Sequence, residues 1–249
     1  MTRLATLTVV AAALAATAGG IWMTAEAQDS GGQTTLGDAK AEAMALTLQA
    51  ERLMAEREIE NLQAIYGFYI DKNQWTEAAD LFADDGTIEI GHQGVYVGKD
   101  HIRAFLGLKG PEGPQKGVLD EHTIVQPVVT VSLDGKTATA RFRDVIQSGT
   151  YGESGTFGEG IYENEYVKQD GIWKIKALHL YTHFLTDYDK GLGQSAEAGP
   201  GPSTELPPDR PPSVDYQPYP ADYTVPLDFK NPGSGKPTQY SGTYQESGQ

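Results

Sequence analysis

Between Asp38 and Tyr69 apolar residues recur at helical spacing, at Leu46, Leu53, Met54, Leu62, Ile65, Tyr66 and Tyr69, among Ala, Glu and Arg that favour helix. The pattern predicts one long amphipathic helix, open to a break near Ala50. A second, short helix is expected over "WTEAADLF" (75–82), closed off by Asp84-Asp85-Gly86. A third is expected over "KDHIRAFL" (99–106), between Gly98 and Gly107. After Glu121 the period changes to two: "TIVQPVVTVSL", a turn at Asp134-Gly135, "KTATARFRDVIQ", a Gly-rich link, "GIYENEYV", a turn at Gln169-Asp170-Gly171, and "IWKIKALHLYTHF". These read as antiparallel strands joined as hairpins. Helices first and a curved antiparallel sheet afterwards define an α+β domain.

Alternation also assigns faces. Ala138, Ala140, Phe142, Asp144 and Ile146 share one side of their strand, with Thr137, Thr139, Arg141 and Arg143 on the other. An ionised carboxylate on the apolar side is costly unless paired, so Asp144 either meets a partner such as His122 or has its pKa raised. Strict alternation puts His122 on the face opposite Val125, Val129 and Val131. The partnership therefore needs a β-bulge, for which Pro127 is the expected place. Folding "GIYENEYV" back on "IWKIKA" sets Glu163 and Glu165 beside Lys174 and Lys176. The other face then holds Tyr162, Asn164 and Tyr166 with Trp173, Ile175 and Ala177, and His179 joins the Trp173 side.

The ends of the 249-residue chain do not follow these periods. Residues 1–27 combine Arg3, an uncharged run from Leu4 to Met23 and Ala25-Glu26-Ala27, the layout of a secretory signal peptide cleaved after Ala27. The run is also long enough for an uncleaved membrane anchor, which is the alternative. Cleavage implies a secreted or periplasmic protein with no stable membrane insertion, and without Cys it relies on no disulfide. Residues 28–54 then form an N-terminal extension and the start of the long helix, and 55–190 the folded domain. Residues 191–249 hold 11 of the 14 prolines, so this tail should be extended and mostly irregular. Its tyrosines at 216, 219, 223, 240 and 244 leave two readings open, a solvated tail or a strap docked on the domain or a partner. A net charge of −15 with no basic run argues against nucleic acid or an anionic membrane surface as partner.

The order of "Y-x-x-Y-I-D-x-x-x-W" (66–75), "LFADDGTIEI", "G-x-Y-V-G-K-D-x-I" (94–102), a His before a valine-rich strand, "DGKTATA" and "DGIWKI" resembles the SnoaL-like branch of the nuclear transport factor 2-like superfamily. The likeness spans residues 55–185, and the branch includes scytalone dehydratase and bile acid 7α-dehydratase, of which the pattern here matches the second and not the first. It implies a cone-shaped fold: a long and two short helices on a curved sheet that encloses an apolar pocket. It also implies a homodimer through the sheet and no cofactor.

The resemblance places Asp71 at the pocket, holding a histidine, and His122 where both dehydratases carry one. Tyr66 matches in spacing a pocket tyrosine of the bile acid enzyme. The tyrosine that scytalone dehydratase has immediately before its acid is Ile70 here, its second histidine position falls at Gln147 or Ser148, and the acid position of ketosteroid isomerase, another member of the superfamily, is Ile90. Without the resemblance, Asp71 reads as a cap of the turn before "WTEAADLF" and His122 as a strand-edge residue. Imidazole, with a pKa near neutrality, suits removal of a proton beside a carbonyl and its return to a leaving hydroxyl.

Tyr66, Asp71, His122 and Asp144 are thus the candidate catalytic groups, with Tyr69, Tyr162 and His179 as candidate ligand contacts. His179 and His183 are four apart, but in a strand and with no third ligand, so no metal site is expected. The glycines of "SGTYGESGTFGEG" do not open a helix, which excludes a phosphate loop and leaves a mobile rim beside the pocket. The expected ligand is a medium-sized apolar molecule of steroid, polyketide or aromatic type. The expected activity is a cofactor-free dehydration or related proton transfer, and the alternative is a binding scaffold of the same fold.

Overall fold

The computed structural model describes residues 35–221 and 223–238. The signal peptide, the first part of the 28–54 extension, and Tyr240 and Tyr244 lie outside the described residues. Two units divide after Ala41, and of the first only residues 35–41 are described. In the first, Thr35 and Asp38 close a reciprocal cap: Asp38 N–H donates to Thr35 Oγ1 at 3.1 Å and Thr35 N–H to Asp38 Oδ2 at 3.0 Å.

Helix α1 runs unbroken over Leu36–Asp71, so the break considered near Ala50 is absent. Its buried seam is Ala55, Ile59, Gln63, Tyr66, Gly67 and Ile70. Of the apolar positions that suggested the helix, Leu46, Leu53, Met54 and Ile65 face outward. The seam was hidden because it uses a polar and a small residue. Gln63 Oε1 accepts Asn164 Nδ2 at 2.9 Å and Tyr166 Oη at 2.8 Å, and Gly67 lets Ile124 approach so closely that a Cβ would lie 3.0 Å from its Cδ1.

Helix α2 is Trp75–Asp80 and α3 is Lys99–Gly107. The expected continuation of α2 through Phe82 gives way to a strand not foreseen from the sequence: β1, Phe82–Ile90, which pairs with the short β2, Val95–Val97. Four long strands follow: β3 (Val118–Val131), β4 (Thr137–Thr150), β5 (Ser154–Gln169) and β6 (Ile172–Asp187). They form one curved sheet in the order β2-β1-β6-β5-β4-β3, antiparallel except for the β1–β6 pair. The β5–β6 hairpin turns through Asp170 and Gly171, both at positive φ, the geometry of a two-residue type I′ loop. The expected Gly-rich rim is instead the tight hairpin end of β4 and β5, paired to Thr150↔Ser154.

Two register shifts decide which side chains face inward. In β3 the shift between Val125 and Val128, with Gln126 at φ 55°, falls where Pro127 suggested it. Ile124 therefore packs on the main core from before the shift, as Val129 and Val131 do after it, and Val125 turns out. In β6 the pairs Tyr166↔Ile175 and Glu165↔Ala177 leave Lys176 as the extra residue. Leu178 and Leu180 then point into the core beyond Trp173 and Ile175, and His179 moves to the opposite face. The cross-strand charges sort differently from expectation as well: Lys174 donates to the Asp80 carbonyl, Lys176 pairs with Asp85, and Glu163 pairs with Arg141.

The core between helices and sheet contains Ile59, Tyr66, Trp75, Phe82, Ile88, Ile102, Phe142, Tyr162 and Leu178. The tail has almost no regular structure, yet Tyr216 and Val225 are buried, so its described part is a strap. It lies on the outer sheet face, the surface expected to carry a homodimer. None of the described helices is long and apolar enough to cross a membrane.

Candidate functional site

The end of α1 brings the first acid into place. The turn after it is closed by backbone bonds from Asn73 N–H to Ile70 O and from Gln74 N–H to Tyr69 O. Helix α2 starts at Trp75, and Gln74 before it makes no side-chain cap. Asp71 is therefore not the cap of that turn. Its Oδ1 instead accepts the backbone N–H of His122 at 2.9 Å and lies 3.0 Å from His122 Nδ1. Both side chains are nearly closed off, at 5% exposure for His122 and 6% for Asp71. With Nδ1 held by a carboxylate, Nε2 is the nitrogen left to act on a ligand.

Asp144 stands across β3–β4, opposite Ile124 and two pairs along from His122, and is wholly buried. Neither of its oxygens closes a hydrogen bond of ordinary geometry among the described residues. Burial pushes its pKa up to about 6, against the His122 ring, the Tyr162 hydroxyl and Lys109, which all favour the charged form. Tyr66 and Tyr162 complete the group, their rings edge to face at 6.4 Å. Burial first, and then the Asp144 charge, raises the pKa of both phenols, so both are proton donors at any ordinary pH. The Tyr66 hydroxyl is buried with no partner among the described residues.

Of these groups, all but Asp71 and Asp144 reach the wall of a cavity of about 640 Å³. Tyr66, His122 and Tyr162 line it, with Ile70, Ile90, Leu106, Ile146, Leu180 and Leu185 as apolar wall. Ser148, Thr156 and Thr182 add hydroxyls, and Lys109 meets Asp120 at 3.3 Å on the same wall. Residues 197–200 of the tail close one side, where Glu197 N–H donates to the Leu185 carbonyl. A depression of about 690 Å³ beyond Ser148 and Thr156 brings no histidine to its walls.

Tyr66, Asp71, His122, Asp144 and Tyr162 are thus brought together. Tyr69 is not: it packs partly buried against the core and is absent from the cavity wall. His179 is not either, because the extra residue in β6 turns it outward. There it stacks on Tyr181 at 3.7 Å and sits 3.7 Å from Glu89, and burial lowers its pKa against the pull of that carboxylate. Reasoning from sequence missed Asp120 and the tail wall. Asp120 was findable, two residues before His122 on one strand, whereas residues 197–200 carry no local signal. No group of three or more His, Cys, Asp or Glu among the described residues is placed to hold a metal ion.

A model of the SnoaL-like domain matches residues 51–179, just over half the chain, and the chain belongs to that family. Among solved structures it is similar to a candidate scytalone dehydratase from Novosphingobium aromaticivorans DSM 12444, with 24% identity, 63% of this chain and 97% of that chain covered, and a TM-score of 0.49. It is also similar to a type 2 hexachlorocyclohexane dehydrochlorinase, LinA (20% identity, 56% and 92% covered, TM-score 0.49). A third is Rv3472, a Mycobacterium tuberculosis protein of unknown function (22% identity, 61% and 78% covered, TM-score 0.44). Comparison with curated protein sequences finds no match.

Proposed function

We propose that this protein is an exported, cofactor-free proton-transfer enzyme acting on a medium-sized apolar molecule, by elimination of water or a related shift. The observation that carries the reading is the 3.0 Å contact between Asp71 Oδ1 and His122 Nδ1 at the head of a largely apolar cavity. His122 Nε2 takes the proton beside a carbonyl or similar activating group, and Asp71 offsets the imidazolium charge that results. A tyrosine hydroxyl, from Tyr66 or Tyr162, donates to the oxygen on which negative charge develops. The electron pair of the broken C–H bond forms the new double bond and expels hydroxide. That hydroxide leaves as water with the proton that the His122 imidazolium returns.

The apolar wall and the cavity volume support a ligand of steroid, polyketide or aromatic size. Export rests on the first 27 residues, and an N-terminus at Gln28 in protein recovered from outside the cytoplasm is the expected result.

The test of the chemistry is solvent deuterium exchange. A 4-aryl-4-hydroxybutan-2-one incubated in D₂O should exchange at the carbon between carbonyl and alcohol and lose water in the presence of the protein. His122→Ala should slow both by about 100- to 10,000-fold. Binding of the ketone with no exchange above background would instead make the protein a ligand-binding scaffold.

A further inference from the structure

The inward row of β4 changes character along its length. From Asp144 and Ile146 it runs on to Ser148 and Thr150. On β5 the row paired with it runs outward as Gly158, Thr156 and Ser154, with no register shift between the two strands. Where the sheet leaves the apolar cavity, its inner face thus becomes a row of hydroxyls. Ser148 and Thr156 line both the cavity and the depression of about 690 Å³ beyond it, so the two hollows meet there. Each is of a size that holds a ring system.

Two tyrosines line this depression. Tyr188 follows β6 and donates its N–H to the Gly155 carbonyl at 2.9 Å, and Tyr151, in the β4–β5 turn, donates its N–H to the Gly117 carbonyl, just before β3, at 2.8 Å. The strand order therefore puts Tyr188 on the β6 side and Tyr151 on the β3 side. Both are largely exposed, at 68% and 93%, and neither ring packs on another among the described residues. The hydroxyls of Ser148, Thr150, Ser154 and Thr156 likewise hold no hydrogen bond to a described residue. Gly155 seats Tyr188 against the strand, since a Cβ there would stand 3.1 Å from the Tyr188 Cβ. The charged side chains of the wall are Glu153 and Asp189. Of the lysines adjoining it in sequence, Lys190 is paired with Asp187 at 3.3 Å and Lys116 is not on the wall.

We propose that this depression is a second subsite that takes a neutral sugar, so that the substrate is a glycoside whose apolar aglycone enters the cavity while its sugar lies between Tyr151 and Tyr188. The aglycone half rests on the proton-transfer reading above. A pyranose has apolar C–H faces and a rim of hydroxyls. The faces suit exposed aromatic rings, and the rim exchanges hydrogen bonds with serine and threonine hydroxyls and donates to Glu153 and Asp189. Two carboxylates and no cation on the wall disfavour a sulfate, phosphate or carboxylate conjugate. A bare hydrocarbon would strip water from the hydroxyl row and offer it no partner.

The test measures binding to the full chain by titration calorimetry, with 4-hydroxy-4-(4-hydroxyphenyl)butan-2-one and its phenolic β-glucoside, sulfate and 2-aminoethyl ether. The glucoside should bind about tenfold tighter than the free phenol, and the sulfate more weakly than the phenol. Tyr151→Ala/Tyr188→Ala changes two exposed side chains. It should remove the advantage of the glucoside and leave the affinity of the phenol as it was, and Tyr188→Ala alone repeats the comparison should the double variant not fold. Equal affinity of glucoside and phenol for the parent, or no binding of either, overturns the proposal. So does a sulfate or an aminoethyl ether that binds as tightly as the glucoside, since charge would then explain the preference. An advantage that survives in the variant overturns it as well. A glucoside held tightly without deuterium exchange supports the subsite and contradicts the proton-transfer reading, whereas exchange of the phenol ketone with no preference for the glucoside does the reverse.

Discussion

At the scale of single residues the site is organised by two carboxylates with different work. Asp71 is hydrogen-bonded to both the main chain and the ring of His122, which ties the position of the imidazole to the end of α1. Asp144 is buried without such bonds, and its pKa of about 6 lies above its usual value of 3.8. The sign of the linkage follows. The folded state holds the Asp144 proton between about pH 4 and 6 while the unfolded state has lost it, so stability from this group falls as pH rises through that window and stays lower above it. The shift corresponds to about 3 kcal/mol. Asp144→Asn should therefore be more stable than the parent at pH 7.5, with the difference shrinking toward zero at pH 4. Urea denaturation at both pH values measures it, and a difference that does not change with pH contradicts the burial argument.

At the scale of elements, the site depends on how closely α1 lies on β3. Gly67 makes that approach possible, with Ile124 at its Cα and the His122 carbonyl 3.7 Å from where a Cβ would be. Gly67→Leu should force the two elements apart and cost about 1–3 kcal/mol. It should thus lower the thermal midpoint by roughly 2 to 4 °C per kcal/mol, and a scan by calorimetry checks it. The same elements show what could be read from sequence. The hairpins of β3 to β6 and the inward face of β4 were legible, because alternation and turn residues are local. Strand β1 was not, since its apolar start continues the α2 pattern and its partner β6 is distant in sequence and parallel. His179 was assigned to the wrong face because one extra residue, Lys176, reverses the side chains between it and the second shift at His183. The seam of α1 was misread because Gln63 and Gly67 are buried for reasons that lie on other strands.

At the scale of the whole molecule, the tail is part of both faces of the sheet: residues 197–200 wall the cavity, and Tyr216 and Val225 anchor the outer cluster. Composition alone left a solvated tail and a docked strap both open, but fully burying a side chain of this size contributes about 1.5–3 kcal/mol before ordering costs. Deleting residues 200–249 should lower the thermal midpoint by about 5 °C or more, which corresponds to roughly 2 kcal/mol net. An unchanged midpoint would mean that the strap adds nothing to the fold.

The central claim is that Asp71 fixes the His122 ring so that Nε2 faces the cavity as a base. Long-range ¹⁵N–¹H correlation of the imidazole at a pH where it is neutral reads this directly. The account predicts a protonated Nδ1 and an unprotonated Nε2 for His122 in the parent protein, with that preference weakened in Asp71→Asn. A His122 ring protonated at Nε2 in the parent would contradict it.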